Sequence, residues 1–492
     1  MAEPTLPTNE APTLAKALGK WSAIAMMVGA VIGSGIFAKP AANAAASDSV
    51  ALIMVGWVAG GVITLVTAIC MAELCLMMPK AGGTYVYIRQ AYGRLPAFLS
   101  GWNETVFFQS TANSALAVYF TMTLGSTLNI EFSTQEIILI VVALQASLTF
   151  VNCMGVHWGS MIQNLTTIIK VAVLIFIALL PFISLSGGTE TFSLANFQDL
   201  PASPDRPGSV IQMLTLVMLS VMWAYSGGWM VTSVAEEIKE PEKNLSFALI
   251  GGAIVLMIIY VAVNIAFHGI FSLDAMLIIK NDPLQDIPQA ATNAYLHPIS
   301  PAFAKFGSAL ISSIIMVSAL SALNTGLLTP PRVLFAMARD KMFIPSFAKV
   351  HHKTKSPYVA IIGQGVSSIA VFLIVTFLVL FTDIASDGNQ ATRDLNTAAD
   401  IFDQLTNIAV LSSTVFIVMT IGAVFILRKK EPETPRPYRI PGYPVVPAIA
   451  LLMNSVFLVL VLMSEGYAAV LSAAFLVCSV PLYFAFNRLP SD

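Results

Sequence analysis

Twelve runs of mostly apolar residues dominate this chain, each close to the ~20 residues that an α-helix needs to cross a bilayer at about 1.5 Å per residue. They are Trp21–Ala45, Ala51–Met78, Ala97–Leu124, Thr134–Cys153, Gly159–Leu185 and Gly208–Val231, then Phe247–Phe271, Pro301–Phe335, Tyr358–Phe381, Phe402–Leu427, Val445–Met463 and Ala468–Phe486. Of the 492 residues, 57% are hydrophobic and 11% charged. A soluble domain carries about a quarter charged residues, so this chain has too few for a water-facing surface. The expected fold class is therefore an all-α integral membrane protein with twelve transmembrane helices, whose solvent is lipid. A net charge of -2 without a basic stripe gives no sign of nucleic acid as a partner.

Lysine and arginine placement sets the expected orientation. With both termini in the cytoplasm, inside segments hold 19 of the 25 basic residues and outside segments hold Lys39, Arg206, Lys280, Lys305 and Arg393; Lys170 alone falls mid-span. Residues 1–20 read as a polar cytoplasmic tail without a signal peptide. The longest outside connections, Ser186–Pro207, Ser272–Ser300 and Thr382–Asp400, are too short for an independent core. Cys70, Cys75, Cys153 and Cys478 show neither zinc nor disulfide spacing. His268, His351 and His352 show no metal-ligand pattern, and neither a metal nor a cofactor is expected. The sequons at Asn103 and Asn164 fall in or beside spans and are not expected to carry sugar.

Two spans carry glycine and serine where a helix should be continuous. The first reads Val28-Gly-Ala-Val-Ile-Gly33-Ser34-Gly35-Ile36-Phe37, and the sixth Trp223-Ala-Tyr225-Ser226-Gly227-Gly228-Trp229. Each glycine costs a helix about 1 kcal/mol relative to alanine. An opened helix frees backbone amides and carbonyls, which is tolerable only beside a cavity or ligand. Freed N–H groups at a half-helix start attract a carboxylate, and freed carbonyls at a half-helix end attract an ammonium. A zwitterionic amino acid carries both. Close helix packing is the alternative reading of each cluster. Against it, the first and sixth spans are equivalent positions of a five-plus-five repeat.

The Gly33-Ser34-Gly35-Ile36-Phe37 run resembles the first-helix signature of the amino acid–polyamine–organocation (APC) superfamily. Ala72-Glu73-Leu74 with Pro79-Lys-Ala-Gly82-Gly83-Thr-Tyr85-Val-Tyr87 resembles its second helix and following loop, and Asn152, Gly155, Gln163, Asn164 and Lys170 its fourth-to-fifth-helix pattern. Glu236-Glu237-Ile238 with Pro241 and Asn244, Leu320–Asn324, Pro331–Asp340 and Arg436–Pro444 are similar to later segments in the same order. Within the superfamily the chain most resembles the L-type amino acid transporters and their bacterial relatives. The resemblance implies a LeuT-like five-plus-five inverted repeat plus two C-terminal helices, with helices one and six broken. Residues 21–185 would form the first repeat, 208–427 the second, and 428–492 a cytoplasmic loop with helices eleven and twelve. It also implies alternating access around a site between helices one and six. Eukaryotic members hold a heavy subunit through a cysteine after helix three; the loop Gly125–Thr134 has none, so no disulfide-linked heavy subunit is expected.

Candidate substrate-binding residues follow. Gly33, Ser34 and Gly35 offer amides to a carboxylate, and Ala30 and Val31 offer carbonyls to an ammonium. Trp223, Tyr225, Ser226 and Gly227 flank the second break. The resemblance makes Trp223 an aromatic lid, while a tryptophan there also suits a cationic substrate. Asn113 and Asn324 either line the pocket or bridge helices, and Trp229 reads as a belt or packing residue. Lys170 stands where the resemblance places the sodium ion of sodium-coupled relatives, with Ser318 and Ser321 as expected partners. An intramembrane ionisable group is a functional hypothesis by default. Glu104 either faces the pathway or pairs with a basic loop residue. Glu73, Arg89, Glu236 and Arg339 are candidates for one ion-pair network at an inner gate.

The expected function is a sodium-independent secondary transporter of L-amino acids, chiefly neutral ones, in the cell membrane, working by exchange or proton coupling rather than as an enzyme. A basic amino acid or polyamine antiporter is the first alternative. A membrane sensor that binds but hardly transports is the second.

Overall fold

The computed structural model describes residues 18–154, 157–186, 191–200, 208–280, 282, 285–351, 356–386, 397–464 and 466–486. Most of the expected N-terminal tail and His352 lie outside them. Among the described residues the only β pairing is an isolated bridge between Leu18 and Ile238, and the rest of the regular structure is helical. In chain order the helices begin with α1 (Lys20–Val31), α2 (Gly35–Ala46), α3 (Val50–Met77), α4 (Thr84–Tyr92) and α5 (Arg94–Trp102). A π-turn at Asn103–Phe108 joins α5 to α6 (Gln109–Leu128), followed by α7 (Thr134–Cys153), α8 (His157–Ser186) and α9 (Val210–Tyr225). A 3₁₀ segment at Gly228–Glu237 leads to α10 (Pro241–Ser246), α11 (Gly252–Ile270), α12 (Leu273–Lys280), α13 (Ile287–Leu296), α14 (Pro301–Leu328) and α15 (Pro331–Arg339). The last four are α16 (Tyr358–Ser386), α17 (Thr397–Lys430), α18 (Val445–Ser464) and α19 (Gly466–Phe486).

Serine marks the starts of many of these helices, because its hydroxyl satisfies an orphan N–H of the first turn. Ser49 accepts from Leu52 N–H, Ser209 from Gln212 N–H and Ser300 from Phe303 N–H. Ser133 and Glu136 complete a reciprocal capping box at α7.

Among the described residues, eleven helical stretches are long and apolar enough to cross a membrane. Large apolar side chains such as Leu139, Ile168, Phe377 and Met463 are exposed on the outside of the bundle. Polar side chains such as Asn103, Gln109, Asn113, Gln145 and Gln364 are buried within it. That distribution suits lipid as solvent and not water. The chain is a multi-pass membrane protein.

The remaining expected span, Ala97–Leu124, is helical but not apolar enough to join the eleven. It forms one rod from Arg94 to Leu128, through the π-turn, and packs against α14, α16, α17 and α7. Its polar side chains face neighbouring helices: Asn103 donates to the Ser412 carbonyl, Ser114 to the Ser368 carbonyl, and Gln364 of α16 to the Thr105 carbonyl.

The single ion-pair network expected from Glu73, Arg89, Glu236 and Arg339 is instead three separate clusters. Glu73, 2% exposed, receives a two-pronged Arg428 guanidinium at 2.8 and 2.6 Å and the Ile440 N–H at 2.7 Å, with Arg436 at 3.5 Å. These partners come from the last turn of α17 and from the segment between α17 and α18. Arg89 pairs with Asp340. Arg339 reaches Glu236 at 3.4 Å, Arg332 reaches Glu237 at 3.0 Å, and Glu236 also accepts from Ala81 N–H. The last cluster ties the 3₁₀ segment to α15 and to the α3–α4 loop.

Candidate binding site

The two glycine–serine clusters are the places where regular helix stops. α1 ends at Val31, Gly33 N–H turns back to the Val31 carbonyl at 2.8 Å, and α2 starts at Gly35. α9 ends at Tyr225, Ser226 is extended, and Gly227 takes φ +93°, which favours glycine. The breaks touch: a Cβ on Gly227 would sit 3.2 Å from the Ala30 carbonyl oxygen. α2 then runs tightly against α9, since a Cβ on Gly35 would lie 2.3 Å from the Ala224 Cα.

Between the breaks lies a cavity of about 30 Å³. Eight of the ten expected substrate residues line it: Ala30, Val31, Gly33, Ser34, Gly35, Trp223, Ser226 and Gly227. The rest of the wall comes from the rod 94–128 (Phe108, Gln109, Ala112, Leu116), from Met230, and from α14 (Ala322, Thr325, Gly326). Among the described residues no charged side chain lines it. The amides that open α2, ahead of Phe37, have no acceptors within their own helix. They are N–H groups at the positive end of a helix, suited to a carboxylate.

Trp223 donates its indole N–H to the Ser34 hydroxyl at 3.2 Å, so the two breaks are bridged across one wall of the cavity. Phe402 of α17 packs edge-on against Trp223, with ring centres 6.4 Å apart. Above Phe402 sits Lys39, 4.7 Å from its ring centre. Lys39 was expected in an outside segment; it is buried within α2, 2.7 Å from Asp403 and 2.8 Å from the Thr406 hydroxyl. Lys39→Met leaves Asp403 without its partner and should cost about 1–3 kcal/mol, less than a fully buried pair because Asp403 is a third exposed. A lower midpoint of thermal unfolding in detergent checks this.

Lys170 of α8 sends its ammonium to two carbonyls at the broken end of α1, Gly29 at 3.2 Å and Ile32 at 2.9 Å. Ser318 of α14 donates to the same Ile32 oxygen at 3.3 Å. Ser321 instead pairs with Thr166 at 2.7 Å. Lys170 and Ser318 thus tie α8 and α14 to the end of α1.

Two expected residues do not line this cavity. Tyr225 donates to the Trp57 carbonyl at 3.2 Å and packs on the Trp57 and Tyr260 rings. It lines a second cavity of about 40 Å³, together with Ser226 and Trp229. Asn113 stands behind Gln109, whose amide nitrogen donates to the Asn113 oxygen at 2.7 Å. Asn324 accepts from Asn152 of α7 and bridges helices. Glu104 is buried in the π-turn and accepts from the Thr84 hydroxyl; it neither lines the cavity nor forms an ion pair with a basic loop residue. The Gln109, Ala112 and Leu116 wall went unread, although their 3–4 spacing on one helix face was a usable signal.

Among the described residues no group of histidines, cysteines and carboxylates could hold a metal ion. The family model for amino acid permeases matches residues 18–486. The serine/threonine exchanger SteT of Bacillus subtilis (strain 168) is 29% identical over 96% of this chain and 98% of its own length. The large neutral amino acids transporter small subunit 2 of Homo sapiens is 28% identical over 96% of this chain and 80% of its own. The b(0,+)-type amino acid transporter 1 of Homo sapiens is 25% identical over 96% and 88%. With regular helix stopping on either side of a cavity, and a family match along nearly its whole length, this chain belongs to the amino acid permease family, within the APC superfamily.

Proposed function

We propose that the protein is a sodium-independent secondary transporter of neutral L-amino acids, working by alternating access as an exchanger or a proton-coupled symporter. The observation that carries this reading is the Lys170 ammonium on the Gly29 and Ile32 carbonyls. A fixed cation there does what a bound sodium ion would do for the broken end of α1, so sodium is not needed. Proton exchange at its Nζ would release those carbonyls and let α1 shift. The substrate's carboxylate would sit on the amides of Ser34 and Gly35, and its ammonium on the Ala30 carbonyl, with Trp223 closing over it.

The rod 94–128 then counts as the third of twelve spans. Residues 21–185 and 208–427 form the two inverted repeats, α18 and α19 the two additional helices, and both termini face the cytoplasm of a cell membrane. The protein works without a disulfide-linked heavy subunit. The absence of a charged side chain from the cavity wall favours neutral substrates over basic amino acids and polyamines, and transport by three relatives favours a carrier over a sensor.

Uptake of a radiolabelled neutral amino acid into sodium-free proteoliposomes tests the reading. Uptake only into vesicles preloaded with amino acid means exchange, and uptake into empty vesicles driven by an inward proton gradient means symport. A folded protein that takes up arginine or polyamines and no neutral amino acid contradicts it.

A further inference from the structure

We infer that Gln109 determines side-chain specificity in this cavity, its side-chain carbonyl accepting a hydrogen bond from the hydroxyl of a small substrate such as threonine or serine. This rests on the substrate-site reading above and adds the class of side chain.

Gln109 is 1% exposed and lines the cavity. Its Nε2 donates to Asn113 Oδ1 at 2.7 Å. Asn113 is itself fixed, because its Nδ2 donates to the Ser368 hydroxyl at 3.1 Å and to the Gly326 carbonyl at 3.5 Å. A Cβ on Gly326 would lie 2.1 Å from Asn113 Oδ1 and 2.3 Å from Gln109 Nε2, so the two amides fill the room that this glycine leaves. The nitrogen of Gln109 is therefore committed. Its Oε1 is buried with no partner in the protein. A buried acceptor without a partner is costly, and a ligand that supplies the donor relieves it.

The surrounding wall says what kind of donor fits. Phe108, Ala112, Leu116 and Ala322 are apolar, three of them small or branched only at the tip, and the space is about 30 Å³. A long ammonium or guanidinium would meet neither room nor a carboxylate. A hydroxyl on a short side chain meets both conditions. A site built around such a contact discriminates against the isostere that lacks the hydroxyl.

Threonine and valine differ by a hydroxyl for a methyl, and serine and alanine by the hydroxyl alone. The full-length protein in proteoliposomes preloaded with unlabelled L-alanine is assayed for exchange of radiolabelled L-alanine. Competition by L-threonine and by L-valine is measured in the wild type, in Gln109→Met and in Gln109→Asn. One hydrogen bond predicts that threonine competes at about tenfold lower concentration than valine in the wild type. The ratio should fall to about one in Gln109→Met, which keeps length and loses the acceptor, and take an intermediate value in Gln109→Asn. A wild-type threonine-to-valine ratio near one overturns the inference without any variant. A ratio that survives in Gln109→Met also overturns it. If the folded wild type neither exchanges a neutral amino acid nor takes one up into empty vesicles under an inward proton gradient, it is the transport reading that fails.

Discussion

Lys170→Ala is expected to insert and fold, yet to transport amino acid at least tenfold more slowly and without the wild type's dependence on pH. The lysine is 1% exposed, and its ammonium is the donor to two carbonyls where α1 ends. Hydrogen bonds from a charged group contribute about 1.5–3 kcal/mol each, so losing both leaves the broken end of α1 loosely held and its carbonyls unsatisfied. Alanine also leaves space beside Thr167 and Ser318, whose hydroxyls donate to the Ala25 and Ile32 carbonyls. Ser318 alone then holds Ile32. Uptake rates across a pH series, normalised to protein in the membrane, are the measurement. A variant with unchanged rate and pH profile removes Lys170 from the transport cycle.

Gly35→Val should abolish transport altogether. The obstacle is geometric. A Cβ at this position meets the Ala224 Cα at 2.3 Å and its Cβ at 2.7 Å, and the nearest atom is backbone, which cannot rotate aside. The start of α2 must then retreat from α9. That retreat separates the Ser34 hydroxyl from the Trp223 indole and opens the cavity wall between them. Overpacked sites typically cost about 1–3 kcal/mol even where side chains can adjust, and here the contact is helix on helix. Loss of uptake by a variant that still elutes as a folded, monodisperse species separates a damaged site from a damaged fold. Undiminished uptake would show that α2 and α9 need not approach this closely.

The sequence exposed the parts of this molecule that depend on local pattern. Apolar runs located eleven of the apolar helices found among the described residues, and the Gly33–Gly35 and Ser226–Gly228 clusters located two places where regular helix stops, because glycine and an extended serine act on the backbone where they stand. Eight cavity residues followed directly from those clusters. Contacts made across long stretches of chain were not legible. Glu73 pairs with Arg428 and Arg436, which nothing local announces, so it was grouped with the wrong arginines. Lys39 read as a loop charge because a lysine near the end of an apolar run usually reaches water. Its partner Asp403 and the Phe402 ring beneath it lie far along the chain. Asn113 stays open in the sequence between lining the pocket and bridging helices, and its place behind Gln109 depends on Ser368 of α16. Glu104, read as facing either the pathway or a basic loop, is satisfied by Thr84 at the start of α4.

The central claim is that one amino acid binds between the two helix breaks. A structure of the protein determined with L-threonine or L-alanine bound tests it most directly. The account predicts the carboxylate on the Ser34 and Gly35 amides, the ammonium against the Ala30 carbonyl and the side chain towards Gln109 and Ala112. Substrate found elsewhere, with the space between Gly33 and Gly227 still closed, would contradict it.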